Sequence, residues 1–120
     1  WKVVDAGRLV AYGISHPWTL GRIPQLDAFL GGLPQEPDCL YVHDVVVAPE
    51  ARGRSLAEAY LERIQSIARG RSLPALALVS VYGTTRLWAR TGFKEEASPA
   101  LEAKLASYGA TARYMVCRFR

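Results

Sequence analysis

The chain has 120 residues, 50% hydrophobic and 22% charged, which is the length and composition of a single globular domain rather than two. No apolar run approaches the roughly 20 residues that a membrane-spanning helix needs, so we expect no membrane partner. The formal net charge of +4 is uneven, because residues 1–39 hold three basic and four acidic side chains and residues 40–120 hold twelve and seven. The second part of the chain is therefore expected to face an anion.

The two cysteines, Cys39 and Cys117, lie far apart and have no Cys or His partner at the spacing of a metal site. Neither a disulfide framework nor a zinc site is predicted, so we expect no metal and a reduced, cytoplasmic protein. The chain opens at Trp1 in sequence typical of a strand. We expect the natural protein to carry further residues before it.

The first predicted elements are two short strands, at residues 1–4 and 9–15, joined by a turn that contains Gly7. Four prolines and a Gly-Gly pair between residues 16 and 39 predict a long loop, with one or two helical turns around residues 23–30. Long loops of this kind usually shape a site.

The middle of the chain has the pattern of a βαβ unit. Residues 40–47 predict a strand with an almost unbroken apolar second half that ends before Pro49, and residues 55–69 carry apolar side chains at helical spacing. Residues 75–82 are again almost wholly apolar, which is typical of a strand covered on both faces. Two strands joined by one helix are expected to be parallel.

The last third predicts four shorter elements. They are a helix at residues 84–91 that ends at Gly92, a strand at residues 93–96, a helix at residues 99–107 and a strand at residues 112–119. The sequence thus predicts an α/β fold in one domain, residues 1–120.

The segment most informative about chemistry is the loop that leads into the helix at residues 55–69. Residues 52–55 read R-G-R-S and lie where unpaired backbone N–H groups and the helix dipole favour a phosphate. Small residues at positions 53, 55 and 57 permit close approach of a pyrophosphate to the backbone. The residues alone leave open an ordinary connection with surface arginines.

Two stretches carry a resemblance to a known family. Residues 52–57, R-G-R-S-L-A, resemble the Arg/Gln-x-x-Gly-x-Gly/Ala signature of the GNAT superfamily of N-acetyltransferases, with the usual Val-x-Pro before them. Residues 87–93, L-W-A-R-T-G-F, resemble the second signature of that family, a short helix ending in Gly-Phe. The first signature differs from the family pattern at one position, where Ser55 replaces the usual Gly.

The resemblance implies a GNAT-like mixed sheet, mostly antiparallel around a central parallel βαβ unit. It implies one acetyl-CoA-binding acetyltransferase domain, which we expect to lack the N-terminal strand and helices of the family. Acetyl-CoA, the co-substrate, is expected between the strands at residues 40–47 and 75–82, which in the family separate at their carboxyl ends. Open α/β sheets favour ligands at that end for independent reasons.

The resemblance also implies roles for individual residues. In the family the first of the two strands is bulged, and its backbone contacts the pantetheine arm and donates an N–H to the thioester carbonyl, where it stabilises the charge that forms as an amine attacks. The cofactor-binding residues implied in this way are Val45, Val46, Val47, Arg52, Gly53, Arg54, Ser55, Leu56, Ala57, Thr84 and Trp88.

Acetyl transfer to an amine needs a base for the ammonium group and an acid for the departing thiolate. Many family members place a Tyr as the acid four residues before the Gly of the second signature, but this chain has Trp88 there. An indole N–H is not an acid of useful strength. Tyr82 is the expected replacement, with Ser80 as a nearby alternative, unless Tyr82 is a packed strand-end residue.

His43 is the expected base, and its distance from Arg52 resembles that of a His in the arylalkylamine N-acetyltransferases. A structural His in a sheet is the alternative. Asp44 is the third candidate catalytic residue, or it holds a cationic acceptor. Because neighbours in a strand point to opposite faces, at most one of the two is expected to face the cleft. His16 is expected to line the acceptor pocket or to form an aromatic corner with Trp18.

The predicted function is transfer of an acetyl group from acetyl-CoA to a primary amine of a small molecule or peptide. Direct attack in a ternary complex is expected, because neither signature contains a cysteine nucleophile. An acetyl-CoA-binding regulatory domain with little catalysis is the alternative that Ser55 and Trp88 favour. A nucleic-acid-binding module is weaker: the pI of 9.3 permits it, but there is no run of Lys and Arg. A homodimer stays open.

Overall fold

The computed structural model describes residues 1–24 and 31–119, so most of the helical turns predicted at residues 23–30 lie outside the described residues. The described ranges form six strands, Lys2–Asp5 (β1), Arg8–Trp18 (β2), Cys39–Val47 (β3), Ala75–Ser80 (β4), Lys94–Glu95 (β5) and Arg113–Arg118 (β6). They also form three α-helices, Leu56–Gly70 (α1), Thr85–Ala89 (α2) and Pro99–Leu105 (α3), and single 3-10 turns at Pro49–Ala51 and Ala106–Tyr108.

All six strands belong to one sheet, in the order β1-β2-β3-β4-β6-β5. The strands β3 and β4, joined by α1, are parallel, and the other neighbouring pairs are antiparallel. The predicted α/β fold, a mixed and mostly antiparallel sheet around a central βαβ unit, is therefore confirmed. No helix among the described residues is both long and apolar enough to cross a membrane.

Most element ends differ from the prediction by one or two residues, and the end of β2 differs by three. The strand β2 continues through Pro17 to Trp18, where a loop was expected, because it stays paired with β3 at Leu40 and Cys39. Pro17 is compatible with this strand because β1 pairs with β2 only as far as Tyr12, so Pro17 has a strand on one side only. The strand β4 ends at Ser80, two residues earlier than expected.

The sheet has a hydrophobic core on each face. On one face α1 packs over residues of the three central strands, and this core contains Leu40, Val42, Tyr60, Leu61, Ile64, Leu76, Leu78, Phe93, Met115 and Cys117. On the other face α3 packs over Trp18, Cys39, Tyr41, Ala75, Ala77, Tyr114 and Val116. The two free cysteines are buried on opposite faces.

Close packing of α1 on β2 depends on Gly13. A Cβ at this position would lie 2.6 Å from the ring of Tyr60, which is nearer than real contacts allow. Tyr60 itself is buried, and its ring centroid lies 5.1 Å from that of Trp1. The absence of a side chain on Gly13 thus lets the aromatic ring of α1 rest directly on the backbone of β2.

Candidate active site

The cleft begins where β3 and β4 stop pairing. The two parallel strands pair over only three positions, Leu40 with Leu76, Tyr41 with Ala77 and Val42 with Leu78. Beyond this point β3 stays paired with β2, and β4 stays paired with β6. The two strands therefore diverge toward their carboxyl ends, and a cleft of about 710 Å³ opens there. That volume lies within the usual range of small-molecule sites.

Three separate segments line the cleft, namely the second half of β3, the loop with the first turn of α1, and the residues from the end of β4 into α2. The predicted site residues that the structure brings together here are His43, Asp44, Val45, Val46, Val47, Arg52, Gly53, Ser55, Leu56, Ala57, Tyr82, Thr84 and Trp88. They lie far apart in sequence, and the βαβ crossover brings them to one edge of the sheet.

Arg54 is the predicted site residue that does not line the cleft. Its Nη1 atom lies 3.0 Å from Oδ2 of Asp5, and both side chains are about half exposed. The family resemblance implied that Arg52 and Arg54 both bind the cofactor. The structure instead pairs Arg54 with the end of β1, a contact that depends on where the β1–β2 hairpin lies in the fold.

The loop before α1 contains two left-handed residues, Gly53 at φ 83° and Ser55 at φ 55°. Ser55 occupies the N-cap position of α1, but its side chain makes no capping hydrogen bond. The first N–H groups of the helix are therefore open to a ligand, with the positive end of the helix dipole behind them. Ser55 pays a steric cost for a conformation that suits Gly, which is what the family normally has there.

A β-bulge interrupts the pairing of β3 with β2. Asp44 lies opposite Ile14, but the next pair along β2 is Ser15 with Val42, so His43 is an extra residue without a Cα partner. Bulges redirect side chains and are frequent beside active sites. The bulged strand that the family resemblance implied is thus present, at His43.

The bulge overturns the prediction that at most one of His43 and Asp44 faces the cleft. Val42 and Val45 both pack into the core on the α1 side, so the two residues between them face the opposite side. The ring of His43 accordingly lies 6.2 Å from that of Tyr41, which belongs to the α3-side core. Both His43 and Asp44 line the cleft. Strict alternation failed because a bulge places two consecutive residues on one face.

With this geometry established, comparison with known proteins identifies the family. Residues 3–93 match the sequence model of the acetyltransferase (GNAT) family. The chain belongs to the GNAT family. No curated protein matches it significantly in sequence.

Solved GNAT structures share the fold. N-acetylglutamate synthase from Neisseria gonorrhoeae, complexed with coenzyme A and N-acetyl-glutamate, is 20% identical with a TM-score of 0.65, over 97% of this chain and 24% of that one. PaiA N-acetyltransferase from Thermoplasma acidophilum, in complex with coenzyme A, is 9% identical with a TM-score of 0.65, over 98% and 58%.

Rv2747 from Mycobacterium tuberculosis, in complex with CoA and NLQ, is 19% identical with a TM-score of 0.65, over 100% of this chain and 75% of that one. This GNAT domain thus spans less than two thirds of the first two structures and three quarters of the third. At such identities the similarity establishes the shared fold.

Asp44 has one hydrogen-bond partner among the residues that the structure describes in this GNAT chain. The Tyr12 hydroxyl donates a hydrogen bond to Oδ2 of Asp44 over 3.0 Å, across the β2–β3 pair. This bond, with the negative charge of the carboxylate, raises the pKa of Tyr12. Among the described residues no Lys, Arg or His forms an ion pair with Asp44.

His16 forms the aromatic corner that was one of its two predicted roles, and it does not line the cleft. Its ring meets Trp18 edge-on at 5.1 Å, and Nδ1 donates to the carbonyl of Pro17 over 3.0 Å. Nε2 then carries a lone pair, and it is buried without a partner among the described residues. Burial lowers the pKa of His16, and the nearby His43 adds to the shift. The two imidazole centroids lie 5.8 Å apart, a proximity that the sequence did not predict because it depends on strand register.

Trp88, at the usual position of the family Tyr, has its N–H engaged within the protein. It donates to Oγ1 of Thr84 over 3.2 Å, while the Thr84 hydroxyl donates to the carbonyl of Val81 over 2.7 Å. Ser80, fully buried, therefore donates to Thr84 over 3.0 Å. The Trp88 ring packs edge-on against Phe93 at 6.0 Å. None of these three donors is free for a departing thiolate.

Tyr82 lies at the mouth of the cleft, in the turn that follows β4. Its backbone is left-handed, with φ 54°, and the residue is 91% exposed. The alternative of a packed strand-end residue is thus not what the structure shows. Its hydroxyl is open to solvent and to a ligand that enters the cleft.

Proposed function

We propose that this chain is an N-acetyltransferase domain, residues 1–120, that moves an acetyl group from acetyl-CoA to a primary amine by direct attack in a ternary complex. One observation carries the proposal: β3 and β4 diverge beside an open helix N-terminus, and the bulge of β3 lies in the cleft between them. Coenzyme A is bound in each of the three structures compared above.

The residues at the loop end of the cleft fit the phosphates of acetyl-CoA. Arg52 supplies a guanidinium group, and the open N–H groups at Ser55 and in the first turn of α1 supply backbone donors. From His43 to Val47 the edge of β3 that faces β4 is unpaired, so its backbone groups are available to the pantetheine arm. Acetyl-CoA supplies the acetyl thioester that the amine attacks and the thiol that leaves.

His43 is the proposed base. It is exposed, lines the cleft and lies at the bulge next to the unpaired backbone of β3. An imidazole nitrogen there can take the proton of an ammonium group, which leaves the amine lone pair free to attack. Asp44 lies on the same face and offers a negative charge to a cationic acceptor.

Tyr82 is the proposed acid for the departing thiolate. Among the described residues that line the cleft it carries the only phenol, and the donors of Ser80, Thr84 and Trp88 are already engaged. We expect Tyr82→Phe to lower kcat by about 10²-fold with little change in acetyl-CoA affinity. A wild-type kcat in this variant would mean that solvent, and not Tyr82, protonates the departing thiolate.

The two free cysteines support the further proposal of a cytoplasmic protein. They lie on opposite faces of the sheet, and burial raises the pKa of Cys39 to about 12, so its thiol stays protonated. Thiols in this state suit a reducing compartment.

The central experiment measures acetyl-CoA binding by calorimetry and thiol release with a panel of primary amines. Binding with amine-dependent thiol release is the expected result. Binding without release on any amine would instead support the regulatory alternative. No binding of acetyl-CoA, together with binding of nucleic acid that weakens steeply with salt, would overturn the proposal in favour of a nucleic-acid-binding module.

A further inference from the structure

A carboxylate without a cation lies beside the cleft, at Asp44. Four carboxylates of the described residues form ion pairs with arginines, namely Asp5, Glu50, Glu95 and Glu96, and Asp44 is among those that do not. Asp44 has only the Tyr12 hydroxyl, which occupies Oδ2 and leaves Oδ1 without a partner in the described residues. Asp44 is half-buried, so it has lost part of its hydration without gaining a countercharge. A cation bound at Oδ1 would restore that interaction.

The surroundings of this carboxylate are apolar. Ile14 lies directly opposite Asp44 on β2 and is 50% exposed. Val46 lies opposite Tyr12, on the same face of the sheet, and is 41% exposed. Exposed large apolar side chains on both sides of a carboxylate favour a cation carried on an alkyl chain over a bare inorganic ion.

The position of Asp44 relates it to the acceptor rather than to acetyl-CoA. It lies next to His43 on the face away from α1, whereas Arg52 and the open N–H groups lie at the α1 end of the cleft. Lys2, on β1, is the Cα partner of Tyr12 and is exposed, but it forms no ion pair with Asp44. The carboxylate is therefore not neutralised from within the described protein.

We propose that the acceptor is a diamine or longer polyamine, whose reacting nitrogen enters the cleft beside His43 while a second ammonium group pairs with Asp44. The inference rests on the proposed function and names the substrate class of the same site. Ile14 and Val46 contact the methylene groups between the two nitrogens. Tyr12 acts as a positioning residue, because its hydrogen bond fixes the carboxylate with Oδ1 toward the acceptor.

The test compares 1,4-diaminobutane with 1-aminobutane, which has the same chain and one nitrogen fewer. For the wild-type domain we expect a KM for the diamine roughly 10- to 100-fold lower than for the monoamine, the worth of one charge-assisted hydrogen bond. Asp44→Asn should remove most of that difference by raising KM for the diamine alone. Tyr12→Phe should raise the KM for the diamine by about threefold, because this variant loses the hydrogen bond that holds the Asp44 carboxylate but keeps the carboxylate itself.

Glu50→Gln is the matched control. It removes one negative charge, as Asp44→Asn does, from an exposed ion pair with Arg8 outside the cleft. The preference for the diamine should stay at the wild-type value in this variant. A merely structural role of Asp44 would instead lower activity on both amines together and would weaken acetyl-CoA binding in calorimetry.

The outcomes separate this inference from the proposed function. The diamine assignment is overturned if the wild type turns over both amines with equal KM, or if Asp44→Asn loses the same activity on both amines. Either result leaves the proposed acetyl transfer intact. If no amine is acetylated, the proposed function fails. The subsite then stands only if 1,4-diaminobutane binds the CoA-loaded domain in calorimetry and Asp44→Asn abolishes that binding, and absence of such binding overturns it as well.

Discussion

The two ends of the cleft are built in different ways. At the α1 end the groups that face a ligand are mainly backbone N–H groups of one continuous loop, with Arg52 beside them. At the other end they are side chains of two strands, Tyr12 on β2 and His43 and Asp44 on β3, brought together by pairing and by a bulge. A site built from the backbone of consecutive residues can be recognised as a motif in the sequence. A site built from side chains of separate strands depends on how those strands pair, which the sequence does not show directly.

The largest expected effect tests the side-chain end. His43→Gln should lower kcat by about 10²-fold, because the imidazole that takes the amine proton is lost. Acetyl-CoA affinity by calorimetry should not change, since the phosphate end is untouched. A wild-type kcat in this variant would show that the amine loses its proton elsewhere and that the end near His43 acts by positioning the acceptor alone.

The next effect tests the backbone end and separates its two arginines. Arg52→Ala should weaken acetyl-CoA binding by about tenfold, because a charged hydrogen bond to phosphate is lost from an exposed position. Arg54→Ala is the matched control, and we expect less than about a twofold change in its Kd because its guanidinium pairs with Asp5. Equal losses in both variants would mean that Arg54 leaves Asp5 when the ligand binds.

The contrast between the two ends also explains what the sequence predicts. The βαβ unit and the phosphate-type loop were predictable because an apolar run, Pro49 and a helical repeat follow one another without a break. The family resemblance implied a bulge in β3 but not its position, because an extra residue at His43 is defined only relative to Ile14 and Ser15 on another strand. The Arg54–Asp5 pair and the continuation of β2 through Pro17 likewise depend on which strands are neighbours.

A smaller effect sharpens the view that the α1 end works through backbone. Ser55→Gly should raise the free energy of unfolding by up to about 1 kcal/mol, because Gly relieves the left-handed conformation at φ 55°. Acetyl-CoA binding should stay the same or tighten. Ser55→Ala keeps the strain and loses a hydroxyl that makes no capping bond, so urea unfolding should show no gain. A loss of cofactor affinity above about tenfold in Ser55→Gly would show that the hydroxyl itself binds phosphate.

The smallest effect concerns stability behind the side-chain end. Burial lowers the pKa of His16, so the native state resists protonation while the unfolded chain takes up a proton near pH 6.5. The free energy of unfolding should therefore fall as the pH drops below about 6.5. His16→Gln should flatten this dependence in urea unfolding between about pH 7.5 and pH 5. An unchanged slope would assign the pH dependence to other groups.

Gly13 lies beside the cleft and affects how closely α1 packs on the sheet there. It lies opposite Val45 on β3, and on its other side the Tyr60 ring of α1 rests where a methyl group would be. The spacing between the sheet and α1 is therefore set beside the cleft itself. A larger residue at position 13 would displace the ring of Tyr60, a residue in the first half of the helix whose N-terminus lines the cleft. The packing of Tyr60 on Gly13 thus helps to set the distance between the first turn of α1 and the bulge of β3. An extended ligand that contacts both ends of the cleft must bridge that distance.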